Sequence, residues 1–173
     1  KDPVVLAGEK REPPKVETKP VDESTPQFQH FYFTNITCNG AAKGIFVRGI
    51  PEMHIKDIVI DNAVLQADEG IDIQEASGIT LNNVTMISKN TNPVAYILNS
   101  DNITLNNFKY KDSADVLLMV QGNNTKDISI LNTDITKARL KLQAGFGVTE
   151  AAVKWAVQPQ PTTTKKNKKK SKS

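Results

Sequence analysis

GIDIQEASGITLNNVTM, residues 70–86, decides the fold. It holds two alternating apolar runs, Ile71-Asp-Ile73 and Ile79-Thr-Leu81, parted by a turn at Ala76-Ser-Gly78. The second run ends on Asn82-Asn83 before Val84-Thr-Met86 resumes the alternation. An apolar period of two is the signature of a strand with one buried face. The Asn-bearing run recurs as Phe31-Tyr-Phe33-Thr-Asn35, Ile58-Val-Ile60-Asp-Asn62, Ile103-Thr-Leu105-Asn-Asn107 and Ile128-Ser-Ile130-Leu-Asn132, at intervals of 21 to 27 residues. A fixed interval of that length means stacked units that offer the same faces to their neighbours. The pattern therefore predicts an all-β chain folded as a right-handed, single-stranded parallel β-helix with an asparagine ladder at Asn35, Asn62, Asn83, Asn107 and Asn132. Asparagine suits such a corner because it tolerates the left-handed backbone region and its amide both donates and accepts. The ladder is expected to point inward, in a buried setting.

Each coil carries a second apolar strand upstream of the Asn-bearing one: Gly44 to Arg48, Gly70 to Gln74, Val94 to Leu98 and Val116 to Val120. Alternation sends Ile45, Val47, Ile71, Ile73, Ala95, Ile97, Leu117 and Met119 inward. Phe46, Arg48, Asp72, Gln74, Tyr96, Leu98, Leu118 and Val120 then form the outer face, polar in the early coils and apolar in the late ones. An apolar outer face needs a cover, and residues 140–157, with Leu142, Phe146, Val148, Val153 and Trp155, are expected to fold back over it as a cap. Thr149-Glu-Ala-Ala152 reads as a helical turn, and Val153 to Val157 reads equally as a final strand.

The coils span residues 27–139. Ahead of them, residues 1–26 carry five prolines among many charges and read as a long loop or linker. Behind them, residues 158–173 read as a disordered lysine-rich tail. Six of its last nine residues are lysine, so the formal net charge of +3 becomes −3 without them. A mean hydropathy of −0.39 and the lack of any long apolar run predict no membrane span. The first residue is Lys1 and no charged-then-apolar leader follows, so a secretion signal is expected to lie outside this sequence. Cys38 is alone, which leaves the fold to packing and backbone hydrogen bonds.

The sequence is poor in recognisable chemistry. Gly40-Ala-Ala-Lys43-Gly44 lacks the spacing of a phosphate-binding loop. His30 and His54 are isolated, with no cluster at metal-ligand spacing, so neither cofactor nor metal is expected. Asp68, Glu69, Asp72 and Glu75 gather in one coil, but Phe46, Tyr96 and Leu118 occupy the outer positions where neighbouring coils would need a second carboxylate. Four Asn-x-Thr sequons, at Asn35, Asn83, Asn102 and Asn123, mostly reflect the repeat itself.

Phe31 to Asn62, FYFTNITCNGAAKGIFVRGIPEMHIKDIVIDN, followed by GIDIQEASGITLNNVTM, resembles the C-terminal coils of bacterial glycoside hydrolase family 28, the polygalacturonases and related pectin-backbone hydrolases. The opening KDPVVLAGEKREPPKVETKPVDESTP is similar to the long loop that follows the catalytic coils in such enzymes, and the resemblance runs to about residue 157. It is most specific at Arg48-Gly-Ile-Pro-Glu-Met53. Such enzymes carry catalysis on Asn-Thr-Asp, Asp-Asp, Gly-His-Gly and Arg-Ile-Lys motifs. The catalytic coils are expected to lie outside this chain, so no residue here is assigned as catalytic.

What the resemblance implies is inverting hydrolysis of α-1,4-galacturonosidic bonds by a secreted or periplasmic monomer. The partner would be an acidic plant polysaccharide, pectin or polygalacturonate, and not nucleic acid. Arg48, at the polar end of the outer face, is the one substrate-binding candidate, since a cation beside a galacturonate carboxylate gains a charge-assisted hydrogen bond. A non-catalytic β-helix module for polysaccharide binding or adhesion is the competing reading. A calcium-dependent pectate lyase is disfavoured, because the outer positions do not offer the necessary carboxylates.

Overall fold

A computed structural model of the chain describes residues 17–156. Ten strands wind into a parallel β-helix of about five turns. They are β1 (Gln29–Arg48), β2 (Ile55–Gln74), β3 (Ala76–Ser88), β4 (Ala95–Leu98), β5 (Asp101–Asn106), β6 (Lys109–Tyr110), β7 (Ala114–Gln121), β8 (Lys126–Leu131), β9 (Ala138–Gly145) and β10 (Val153–Ala156). Short 3-10 turns at Ile135–Lys137 and Glu150–Ala152 are the only helical pieces among the described residues. All strand pairings are parallel. Phe31, Ile58, Ile79, Ile103, Ile128 and Val153 fall in one column, and Phe33, Ile60, Leu81, Leu105, Ile130 and Trp155 in another. These columns are the spine of the core, fully buried at Ile79, Leu81, Ile103 and Ile128. Burying one such side chain contributes about 1.5–3 kcal/mol.

Three left-handed corners let the chain turn at each coil. The first holds Asn35, Asn62, Asn83, Asn107 and Asn132, with φ between 49° and 58°. A second lies just before the Asn-bearing strand, at His30, Asp57, Gly78, Asn102 and Asp127. A third follows the outer strand, at Glu75, Asn99, Gly122 and Phe146. Left-handed backbone costs an ordinary residue about 1–2 kcal/mol, which explains why Asn, Asp and Gly dominate these positions.

Amide bonds link the first corner from coil to coil. Asn83 Nδ2 donates to Asn62 Oδ1 at 3.1 Å, and Asn107 Nδ2 donates to Asn83 Oδ1 at 2.7 Å. At the next step Asn132 departs from the expected order and donates to Asn106 Oδ1 at 2.8 Å, while Asn106 donates to Asn82 at 3.2 Å. Asn35 has the conformation but lies outside the amide chain among the described residues. The corner is also not the buried, inward one expected, because Asn35, Asn62, Asn83 and Asn132 are exposed and Asn107 is half-buried. The left-handed turn swings the side chain out of the coil.

Two expectations for the late coils are corrected. Leu118 pairs with Ala95 and Val120 with Ile97, so both point inward and are fully buried, whereas Met119 joins Tyr96 and Asp72 on the outer row. The sequence runs Leu117-Leu-Met-Val120 without a polar residue, and a continuous apolar run carries no alternation to set the phase. The stretch from Leu140 onward does not fold back over the outer face. Leu142 stacks on Leu118 and Ala144 on Val120 as the next coil, and Trp155 stacks on Ile130. With Leu118 and Val120 turned inward, the late outer rows keep Met119 and Leu98 as their apolar residues, and both are already buried, at 7% and 2% exposed. Glu150–Ala152 forms a helical turn and Val153–Ala156 a strand, so both readings of that stretch hold in succession. Residues 17–26 contain no strand; residues 1–16, and the lysine-rich tail at 158–173, lie outside the described residues.

Candidate functional site

The outer strands of the first coils build a polar cluster around Asp72. Phe46, Asp72, Tyr96 and Met119 form one outward column, and Arg48, Gln74, Leu98 and Gln121 the next. Arg48 donates from Nε and Nη2 to Gln74 Oε1 at 3.2 and 2.8 Å. Gln74 in turn donates from Nε2 to Asp72 Oδ1 at 2.7 Å. Lys43 completes the cluster with Nζ 2.5 Å from Asp72 Oδ2 and 3.2 Å from Glu69 Oε2. Its partial burial pulls the ammonium pKa down, but the hydrogen bonds and charges of Asp72 and Glu69 outweigh that and raise it. Lys43 is thus held as a cation.

The two cations flank one aromatic ring. Lys43 Nζ lies 4.9 Å from the Phe46 centroid and Arg48 Cζ 5.7 Å, while the ring itself is 53% exposed. Arg48 also borders an apolar cleft of about 310 Å³ lined by Pro26, Phe28, Gly49, Ile50, Met53 and Ile55. Gly49 is required at that turn, since a Cβ there would collide with the Glu75 carbonyl oxygen. One coil further on, Tyr96 donates from its hydroxyl to Gln121 Oε1 at 2.9 Å. The arrangement is two positioned cations and an exposed ring on a flat outer face, which suits an anionic ligand with an apolar side.

The acidic group of the second coil is divided among separate partners. Asp68 pairs with Lys89 at 2.6 Å, Glu69 and Asp72 share Lys43, and Glu75 is buried between His54 Nε2 at 3.3 Å and the Asn99 amide at 2.8 Å. His30 pairs with Asp57 at 3.3 Å across the second left-handed corner. Among the described residues no group of His, Cys, Asp and Glu could hold a metal ion.

Against the expectation that none of the four catalytic strings of the resembled enzymes occurs here, one does, as Asn132-Thr133-Asp134, and the structure places it at a corner away from the outer face. Asn132 is the left-handed corner residue, and Thr133 Oγ1 donates to the Leu131 carbonyl at 2.9 Å. Asp134 caps the 3-10 turn through the Thr136 amide at 3.0 Å and hydroxyl at 2.6 Å. Those two bonds hold its carboxyl below the ordinary range, as a structural cap requires.

Arg48 thus sits where the sequence put it, but its anchoring through Gln74 and Asp72 and its neighbours Lys43 and Phe46 were not read beforehand. The available signal was the register, which places residues 26 apart side by side. No helix among the described residues is long and apolar enough to cross a membrane. Compared with protein-family models, curated proteins and solved structures, the chain matches none.

Proposed function

We propose that this chain forms the C-terminal coils of a pectin-backbone glycoside hydrolase of the family 28 type, extending the β-helix and holding acidic sugar units on its outer face. The reading rests on the resemblance of residues 31–86, and the observation that carries the binding role is the Lys43–Phe46–Arg48 triplet, fixed from below by Asp72 and Gln74. A galacturonate unit offers the chemistry such a triplet suits: a ring with an apolar face for Phe46 and a carboxylate for Arg48. Hydrolysis of the α-1,4 bond, with inversion, belongs to carboxylates outside these residues, because Asp72 is tied up by Lys43 and Gln74. Secretion or export to the periplasm and a monomeric state complete the proposal. The isolated chain releases no reducing ends from polygalacturonate in this account, and release that vanishes on Asp72→Asn would overturn it.

The second reading, a non-catalytic polysaccharide-binding or adhesion module, is favoured by the same triplet, which needs no catalytic group to bind a polyanion. The two part on whether adding the catalytic coils in one polypeptide gives a hydrolase.

A further inference from the structure

Arg48 borders two surfaces. One is the exposed Phe46 ring, 5.7 Å from its Cζ, and the other is the cleft of about 310 Å³ walled by the turn at residues 49–53 and by Phe28. The backbone fixes these walls. Gly49 donates its amide to the Gln74 carbonyl at 2.9 Å, and Ile50 and Met53 close the turn on each other at 3.4 and 3.0 Å. Ile55 donates to the Glu75 carbonyl at 3.2 Å, and the Phe28 carbonyl accepts from the Lys56 amide at 3.0 Å. Beside the turn, His54 Nε2 lies 3.3 Å from Oε2 of the buried Glu75. A cleft held in this way stands before any ligand arrives, so little ordering opposes binding.

The cleft is apolar apart from one charge. Phe28 is 54% and Ile50 40% exposed, Met53 and Ile55 are half-buried, and Arg48 is the only charged residue among those that line it. Arg48 commits Nε and Nη2 to Gln74, which leaves Nη1 without a hydrogen-bond partner among the described residues.

We propose that this cleft binds a small aromatic carboxylate, with the charge on the Arg48 guanidinium and the ring against Phe28, Ile50 and Met53. Charge selects the head group, because one cation at the rim of an uncharged wall pairs a single negative charge and leaves a second one unpaired. Volume selects the body. A cleft of about 310 Å³ is at the bottom of the ~300–1,000 Å³ range of small-molecule sites, with room for one ring and a short side chain. An aromatic body suits these walls better than an alkyl one, since the Phe28 ring, the Met53 thioether and the Arg48 guanidinium all gain from contact with a ring. The site goes beyond the proposed sugar binding. Sugar hydroxyls find no partner in the side chains of Phe28, Ile50 and Met53, and the two ligands share Arg48 alone.

Amide chemical-shift titration of the full 173-residue chain with sodium cinnamate tests the proposal. Shifts should centre on Phe28, Gly49, Ile50 and Met53 and saturate with a Kd on the order of 1 mM. Cinnamamide keeps the ring and loses the charge, and it should bind about tenfold more weakly or worse. Hexanoate keeps the charge and loses the ring, and it should also bind about tenfold more weakly. Phe28→Ala should weaken cinnamate about fivefold or more, while Tyr32→Ala, at another exposed aromatic, leaves it unchanged. Equal affinity for cinnamate and cinnamamide, or for cinnamate and hexanoate, would overturn the proposal. Shifts that do not saturate, that lie away from the cleft or that are undiminished in Phe28→Ala would overturn it too. The series of ligands decides the matter even where a variant does not fold. Polygalacturonate takes no part in this titration, so a chain that binds cinnamate and not that polymer would sink the sugar reading alone.

Discussion

Asn107 donates from its side-chain amide to Oδ1 of Asn83 at 2.7 Å, while both residues hold left-handed backbone, with φ of 50° and 53°. Two constraints meet in each residue: the corner needs a left-handed conformation, and the coil-to-coil step rewards a group that donates and accepts. Glycine meets the first and not the second, and glutamine the reverse.

Substitutions at Asn83 separate these terms. Asn83→Gly keeps the turn and loses the amide bonds to Asn62 and Asn107, an effect of about 0.5–1.5 kcal/mol per bond at most, reduced by the exposure of the corner. Asn83→Ala adds the left-handed penalty of about 1–2 kcal/mol. Urea midpoints should fall in the order wild type, Gly variant, Ala variant. A glycine variant less stable than the alanine one would mean that backbone strain is not the controlling term.

The phase of the fourth coil is testable with charge. Leu118→Lys must place an ammonium in the core, where burial of an unpaired charge is prohibitive, and the chain should not fold. Met119→Lys, on the outer row beside Tyr96 and 7% exposed where Leu118 is fully buried, should destabilise the chain less than Leu118→Lys does. The opposite outcome for the pair would restore the phase that alternation alone suggested.

How far the fold was legible follows from these residues. The inward columns of coils one to three could be read because Ile71-Asp-Ile73 and Ile79-Thr-Leu81 alternate cleanly. The fourth coil could not, because Leu117 to Val120 offers four apolar residues and hence two equal phases. The second left-handed corner went unread for another reason: His30, Asp57, Gly78, Asn102 and Asp127 share a backbone conformation and not an identity. At the candidate site the outward position of Arg48 was legible from alternation, whereas its hold on Gln74 depends on register between coils. Sequence spacing carries such contacts only once the fold is known.

Alkaline titration should single out Tyr110. Burial, then the nearby charges of Asp134 and Asp112, push its phenol up to about 12 from an ordinary 10. The folded chain therefore binds a proton that the unfolded chain has lost, so the stability contributed below pH 10 declines as pH rises toward 12. Lys43 acts in the same direction, since its raised pKa also means protection lost at high pH. Absorbance of tyrosinate should show a step near pH 12 that belongs to Tyr110. Tyr110→Phe should remove that late step and flatten the decline in stability above pH 10.

Trp155 is the single tryptophan and stacks on Ile130 in the last of the described strands. In a solenoid each coil is supported by its neighbours, and an end coil has support on one side only. Fluorescence should therefore report a lower urea midpoint than far-ultraviolet circular dichroism does. Coincident midpoints would show that the last coil unfolds with the whole.

The central claim is that the outer face at Arg48 holds acidic sugar units, and the most direct measurement is the affinity of the full chain for polygalacturonate at physiological ionic strength. Such salt screens exposed charges beyond about 8 Å and so suppresses the diffuse pull of the lysine-rich tail. Arg48→Ala should weaken binding about tenfold, the scale of one hydrogen bond to a charged group at ~1.5–3 kcal/mol. Lys154→Ala, at the far end of the helix, should leave it unchanged. Equal affinity for the wild type and Arg48→Ala, or equal binding to the fully methyl-esterified neutral polymer, would contradict the account.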